Sequence, residues 1–364
     1  MKLVYEKNEI YDLIEKINPI SYGKSRNFID GAVTKLSPYI TIGILKPKDI
    51  VQKLSENYNI DEMEKLIFEL SVRDFFQKVY WRDPDAIKQN MFGKQRNVVD
   101  SQLHEAVVKA ATGVKMLDHA IKNLYETGYV HNHARMWIAS LVCNVGQTKW
   151  QIPAKWLYYH LLDGDPASNN LSWQWVAGTF SRKKYYANQR NINKYSKTKQ
   201  YDTFLDVEYH EFKQMKIPNV MEKRVNYEFN LSHMNSSELE IDKDRPTLIY
   251  SMFGLDTEWH PEMDANRVMV IEPKFLNDFP INAKRLDFIM KCIENNFDNL
   301  QLYYGDFESM NLDGDIRINS HPSNFHFKGK HENVNWLFPK TSDKHQSLMQ
   351  YWRDAKSFVK DLLV

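Results

Sequence analysis

Glu126 to Gly178 reads ETGYVHNHARMWIASLVCNVGQTKWQIPAKWLYYHLLDGDPASNNLSWQWVAG. It holds a helix start at His131-Asn132-His133-Ala134-Arg135-Met136, a polar tight loop from Asp163 to Asn170, and the element Trp173-Gln174-Trp175. Spacings of three and four put Asn132, Arg135 and Met136 on one helix face. An amide and a guanidinium facing inward together need buried partners. Asp163 and Asp165 in a Gly-Pro loop read as simple turn residues. Their ligand run is too short for a calcium loop.

Working outward, Val114, Leu117, Ile121 and Leu124 form one apolar helical stripe, and Gly128 follows where a left-handed cap would sit. Asp61 to Tyr80 is a second helix candidate, stopped by the run Arg82 to Pro84. Within it Glu69 and Arg73 are four apart, the spacing of a surface ion pair. Ser37-Pro38 suggests a third start, with Ser37 as cap and proline in the first turn. Hydroxyls there, at Thr34 and Ser37 with Tyr22 upstream, suit either an ordinary capped helix or an anion site. Residues 181–199 carry seven Lys/Arg and no acid, interleaved with Tyr185, Tyr186 and Tyr195. That pattern is a solvated loop or an arm that tracks phosphates and stacks bases. After about residue 245 the pattern changes: TLIYSMF (247–253) and RVMVI (267–271) predict strands, 283–295 a helix, and LQLYY (300–304) a strand, hence a small α/β domain.

Bulk composition sets bounds. The 364 residues carry a formal net charge of +1, which argues against wholesale coating of nucleic acid but allows one basic groove. The aromatic fraction is 13%, with nine Trp, serving packing or redox and stacking. Two distant cysteines, Cys143 and Cys292, with no CxxC, predict no cysteine-ligated zinc or iron–sulfur site; no metal is expected. Low cysteine usage fits a reducing cytosol, and a cytoplasmic location is expected. The charged start MKLVYEKNEIYDLIEK is not a signal peptide, and no apolar run reaches membrane-spanning length.

The order and gaps of these elements over about residues 20–196 closely resemble the flavin-binding core of the photolyase/cryptochrome family. The resemblance implies FAD and light-driven electron transfer, often on damaged DNA. It carries the pyrophosphate-holding element to Thr34, Leu36 and Ser37, with Tyr22 upstream, but Val33 stands where the family usually has Thr. It makes Glu69 the contact to a pyrimidine dimer and Arg73 a flavin contact; Val72 replaces a Trp that stacks on the dimer. It places Asn132 and Arg135 in the flavin pocket and Met136 against the lesion, with His133 replacing an Arg. Asp163 then pairs with Arg135, Asp165 lies near the flavin N1 and C2 region, and Asn169 faces N5. Trp173 and Trp150 match the inner two positions of a tryptophan electron chain. The outer one is missing near Asn97, where a tyrosine or Trp81 could substitute. Trp175 matches a position near the lesion pocket, and Arg182, Lys183 and Lys184 would hold DNA phosphates.

The expectation is therefore a mainly α fold: an all-helical FAD-binding domain at 1–200, a linker or extension at 201–244, and a small α/β domain at 245–364. That last segment is also vaguely similar to the family's antenna domain, which normally comes first; no antenna pigment is expected. The expected function is a blue-light DNA photolyase that splits pyrimidine photoproducts, with UV-damaged DNA, single- or double-stranded, as partner. The alternative is a cryptochrome-like photoreceptor without repair.

Overall fold

The computed structural model describes residues 2–230, 234, 238–332 and 334–363, so part of the expected 201–244 linker lies outside the described residues. Helices come first: α1 Lys7–Glu15, α2 Pro19–Ser25, α3 Ser37–Ile42, α4 Pro47–Ser55 and α5 Ile60–Arg82, then α6 Glu105–Val108, α7 Lys115–Thr127, α8 Asn132–Ser140, α9 Gln151–His160, α10 Pro166–Ala177 and α11 Gln189–Ser196. A short antiparallel pair, β1 Leu103–His104 and β2 Arg224–Val225, joins the segment after α11 to the one just before α6. The remainder is β3 Thr247–Tyr250, β4 Asn266–Ile271, α12 Pro273–Asp278, α13 Ala283–Asn296, β5 Leu300–Tyr304, β6 Ile316–Asn319, β7 Lys330–Glu332 and α14 Leu348–Ala355.

Contacts divide the chain into two compact units that cut across the sequence order. One comprises Met1–Gly23, Thr34–Arg82 and Leu231–Val364; the other comprises Lys24–Val33 and Asp83–Asn230. The block expected as one helical domain is thus shared between both.

In the first unit, five parallel strands lie in the order β5-β4-β3-β6-β7. All four residues of β3 are buried, as expected for a central parallel strand covered on both faces. The sheet corrects the mainly α expectation: the chain is mixed α/β. β6 (IRIN) and β7 (KHE) are too short and too polar to register as periodic apolar runs, so the sequence pattern showed only three of the five strands. The helix α5 is anchored in the same unit. Asp74, 4% exposed, accepts from Leu337 N–H at 2.9 Å, Phe338 N–H at 3.2 Å and the Tyr351 hydroxyl. One turn on, the Lys78 ammonium donates to the Phe338 and Thr341 carbonyls at 2.9 and 3.0 Å. Gly43 closes α3 at φ +86°, and a Cβ there would lie 2.8 Å from the Phe253 carbonyl, so both the turn and the close approach require glycine.

One detail of the helix starts differs from expectation. Leu36, not Ser37, is the N-cap of α3, and no side chain caps the helix. Leu36 already has helical dihedrals, which moves Ser37 into the first turn and takes its hydroxyl out of the capping position. The long helix does stop at Arg82, ahead of Pro84.

The second unit is helical around an aromatic core in which Trp137, Trp150, Trp156 and Trp173 are all buried. The α7 stripe of Leu117, Ile121 and Leu124 faces this core, and Gly128 ends the helix at φ +70°. Beyond α8, residues Leu141–Val145 widen into a π turn, closed by Gly146 N–H to the Leu141 carbonyl at 2.7 Å. That turn brings Gly146 against His104; a Cβ on Gly146 would sit 2.1 Å from the ring Nε2.

His104 is fully buried. Its Nδ1–H donates to the Met221 carbonyl, and Nε2 accepts from Arg224 Nη1 at 3.0 Å. Burial, then the Arg224 charge, pushes its pKa down to about 4. His131 is pushed down to about 4 as well, by burial and then by His133 and Arg135. Both rings are neutral in the fold, whereas an unfolded histidine protonates near the ordinary 6.5. Between those values the unfolded state binds more protons. Stability from these two groups is therefore fully present above pH ~6.5 and lost as pH falls toward 4. Melting temperature measured across that window should drop with acid, and His104→Gln should flatten part of the slope.

Candidate cofactor site

The second unit assembles the loop and helix starts of the 126–178 stretch. The first turn of α8 is capped by His131, whose Nδ1 accepts from His133 N–H at 3.1 Å. This fixes the angle at which α8 leaves its loop and aims Arg135 across it. Arg135 Nε donates to the Val130 carbonyl at 2.8 Å, and Nη2 reaches both Asp163 oxygens, at 3.0 and 2.8 Å. The Asp163 side chain is 5% exposed and that of Arg135 22%, so the ion pair is largely withdrawn from solvent. The expected Arg135–Asp163 pairing is present.

Asp165 is the N-cap of α10, accepting from Ser168 N–H at 2.6 Å, with Pro166 in the first helical position. One residue on, Asn169 uses its amide group fully: Nδ2 donates to the Ala154 carbonyl at 3.0 Å and to Asn170 Oδ1 at 2.8 Å. Asn170 is held in turn by the Ile87 carbonyl at 2.7 Å, and Gln174 by the Ala86 carbonyl at 2.7 Å. The polar face of α10 is thus pinned to the 86–91 segment, and Asn169 has one rotamer-locked orientation.

The other residues fall out as follows. Asn132 is exposed and Met136 half-buried. Trp150 is buried and donates to Asn90 Oδ1 at 2.7 Å; Trp173 lies in the same aromatic core. Trp175 is 42% exposed and packs against Tyr185, ring centroids 5.6 Å apart. Arg182 and Lys183 are exposed, but the Lys184 ammonium is buried without a hydrogen-bond partner, and burial pulls its pKa down. Lys184 therefore departs from the expected phosphate-holding row. Its stem lies against the backbone turn at Gly178, which draws the head group inward. The rest of the basic arm is partly spent on ion pairs, Lys197 with Asp30 at 2.7 Å and Arg190 with Glu208 at 2.6 Å.

Tyr22, Thr34, Leu36, Ser37, Glu69 and Arg73 belong to the first unit. Thr34 Oγ1 accepts from Leu36 N–H at 3.4 Å, and Glu69 takes the Lys65 ammonium at 3.2 Å. Trp81 packs edge-on against Trp336 in that unit, centroids 6.0 Å apart.

Residues 66–243 match the FAD binding domain of DNA photolyase. Over this stretch the chain is similar to the photolyase/cryptochrome family. It is 29% identical over 167 residues to a deoxyribodipyrimidine photo-lyase of Vibrio cholerae, covering 43% of this chain and 36% of that protein. It is 32% identical over 149 residues to one of Streptomyces griseus, covering 41% and 32%. It is 30% identical over 207 residues to a chloroplastic/mitochondrial cryptochrome DASH of Ostreococcus tauri, covering 53% and 36%. The chain thus spans about a third of the length of these relatives. Among solved structures, a Synechocystis cryptochrome superposes with a TM-score of 0.49 at 25% identity, covering 54% of this chain and 44% of that one.

FAD is the cofactor of this family domain, and the residues present fit it. Ser168 Oγ is buried in the first turn of α10 with no hydrogen-bond partner, an expensive state that a bound polar molecule relieves. Among the described residues no donor reaches Asn169 Oδ1, while both its N–H bonds are taken, so the side chain presents an acceptor and not a donor. The Arg135–Asp163 pair, the Asp165 cap and these two atoms come from one short loop and two helix starts. Sequence reading gave Ser168 and His131 no role of their own. The signal for His131 was its place immediately before the first residue of α8, where an N-cap belongs.

Proposed function

We propose that this chain is a blue-light-driven photolyase that splits UV-induced pyrimidine photoproducts in DNA. The observation that carries the reading is the locked Asn169 amide. Its Oδ1 is an acceptor held in place by Ala154 and Asn170, suited to an N–H group and so to the reduced form of a flavin. A reduced flavin held by Arg135, Asp163, Asp165 and Asn169 would supply light-driven one-electron chemistry. The protein's own work is positional. Arg135 and Asp163 neutralise each other in the loop that leads to α10, Asp165 fixes the start of α10, and Trp150 and Trp173 fill the aromatic core of this unit.

On the DNA side, the Trp175–Tyr185 pair with exposed Arg182 and Lys183 nearby supports a stacking and phosphate contact, as single-strand binders use. Arg182→Gln with Lys183→Gln should weaken binding of an irradiated oligonucleotide and lower the steepness of log K against log salt by about 0.7–0.9 per lost phosphate contact. An unchanged slope would remove these two residues from the interface.

A cryptochrome-like photoreceptor is the second reading, favoured by Val72 in place of a lesion-stacking Trp and by relatives named cryptochrome DASH. Blue light applied to reduced protein with an irradiated oligonucleotide separates the two. Restoration of intact thymines is expected, and Asn169→Leu should cut it by about tenfold or more. No repair of either cyclobutane dimers or (6-4) lesions would sink the enzyme reading.

A further inference from the structure

The aromatic core of the second unit continues toward its surface as a line of rings that ends in an acid–base pair. Trp156, in α9, is fully buried in the same core as Trp150 and Trp173. Its Nε1 donates to the Tyr125 hydroxyl at 3.3 Å, and its ring centroid lies 6.1 Å from that of His160, one helical turn on. His160 is half-buried and meets the rings of Tyr125 at 4.7 Å, Tyr159 at 4.9 Å and Tyr227 at 5.9 Å, all edge-on. Tyr227 is half-buried too, two residues beyond β2, whose pairing with β1 holds that segment in place.

Hydrogen bonds separate the phenols around this imidazole. Tyr125 donates to the Val108 carbonyl at 2.8 Å and Tyr159 to the Asn230 carbonyl at 2.9 Å. A backbone carbonyl accepts a hydrogen bond but is no base for the proton itself. Tyr227 has its hydroxyl against a ring nitrogen instead, His160 Nε2, at 2.7 Å. The phenol is the stronger acid of these two neutral groups, so its O–H donates and Nε2 accepts. Burial keeps the proton on, pushing the Tyr227 pKa up to about 12. An electron drawn from a buried phenol leaves a cation there, which is costly unless the proton departs with it. Here a base stands within hydrogen-bond reach to take that proton.

We infer that Tyr227, with His160 as its base, is a redox-active tyrosine that returns an electron to Trp156 once that indole has been oxidised. One electron passes from the Tyr227 ring to the Trp156 radical cation, the phenolic O–H bond breaks, and the proton goes to His160 Nε2. The indole is restored, the phenol becomes a neutral phenoxyl radical, and the imidazole becomes an imidazolium. The positive charge thereby leaves a fully buried ring for a half-buried one. In the working protein the oxidant of Trp156 would be a photoexcited oxidised flavin, a role that rests on the flavin reading; the acid–base pair itself does not. The pair gives the electron path an end point where no tryptophan stands near Asn97.

The test uses two oxidants. Flavin-loaded full-length protein is lit with blue light without added reductant, and flavin-free protein is flashed with ruthenium tris-bipyridine and an electron-accepting quencher. Phenoxyl radical is read by electron paramagnetic resonance, and its rise by transient absorption. Wild type should give a phenoxyl signal that Tyr227→Phe lacks, while Tyr125→Phe and Tyr159→Phe keep it. The indole radical should decay as the phenoxyl rises, and persist in Tyr227→Phe. His160→Gln keeps a hydrogen-bond acceptor but no base, and should slow the rise by about a hundredfold. Protein that takes up no flavin still reports on the pair through the ruthenium flash, and a wild-type signal there but none under blue light removes the pair from the flavin's path. The inference is overturned by wild type without phenoxyl under either oxidant, by a signal undiminished in Tyr227→Phe, or by an unchanged rise in His160→Gln. Should His160→Gln fail to fold, wild type in heavy water decides: a rise no slower than in ordinary water shows that no proton moves with the electron, and overturns it equally.

Discussion

Asp163→Ala is expected to yield folded but flavin-free protein. In the native chain Arg135 Nη2 spans both Asp163 oxygens, at 3.0 and 2.8 Å, in a site mostly closed to water. Removing the acid leaves a partly buried guanidinium uncompensated, at a cost of about 3 kcal/mol. The same change disorders the loop that starts α10, because Asp163 and the Asp165 cap lie in one tight turn. Loss of about 3 kcal/mol in binding is more than a hundredfold in affinity. Asp163→Asn keeps the shape and one acceptor oxygen but loses the charge, and should retain flavin weakly. Flavin content per chain, read from absorbance after identical purification, checks both. Equal flavin in wild type and Asp163→Ala would mean that this pair does not face the cofactor.

The largest effect on folding is expected from Asp74→Ala in the first unit. Asp74 is buried and receives two backbone N–H groups and the Tyr351 hydroxyl, while Lys78 one turn away donates to the carbonyls of the same 338–341 segment. Burial raises the Asp74 pKa, with Tyr351 and the two N–H donors opposing it. Deleting the carboxylate strands three donors at once, and each buried donor left unmade costs about 1–3 kcal/mol. A loss of about 4 kcal/mol is expected, a large share of the roughly 5–15 kcal/mol that stabilises an ordinary domain. Asp74→Asn, which still accepts, should lose about half of that. Urea denaturation of the full chain measures it. A shift below about 1 kcal/mol would show that the 337–351 segment does not depend on α5 for its place.

Much of the second unit was legible in the sequence because its signals are local. The Leu117, Ile121 and Leu124 stripe with Gly128 as a left-handed end and the loop before Pro166 each depend on neighbours a few residues away. The Arg135–Asp163 pair spans 28 residues, and only the family resemblance, not spacing, pointed to it. The parallel sheet was half visible: β3, β4 and β5 are continuous apolar runs, whereas β6 and β7 are strands because of what they pair with, not because of what they contain. The regrouping of Thr34–Arg82 with the sheet was invisible, since it rests on contacts such as Asp74 to Leu337 that join residues 263 apart. Sequence showed the Lys184 charge but not its burial, which depends on the turn at Gly178.

The most direct test is the absorption spectrum of the purified full-length chain after incubation with FAD and removal of unbound cofactor. Blue bands of protein-held flavin are expected, bleaching under blue light with a reductant present and absent from Asp163→Ala. Wild-type protein that stays colourless after reconstitution would contradict a cofactor seat built from Arg135, Asp163, Asp165 and Asn169.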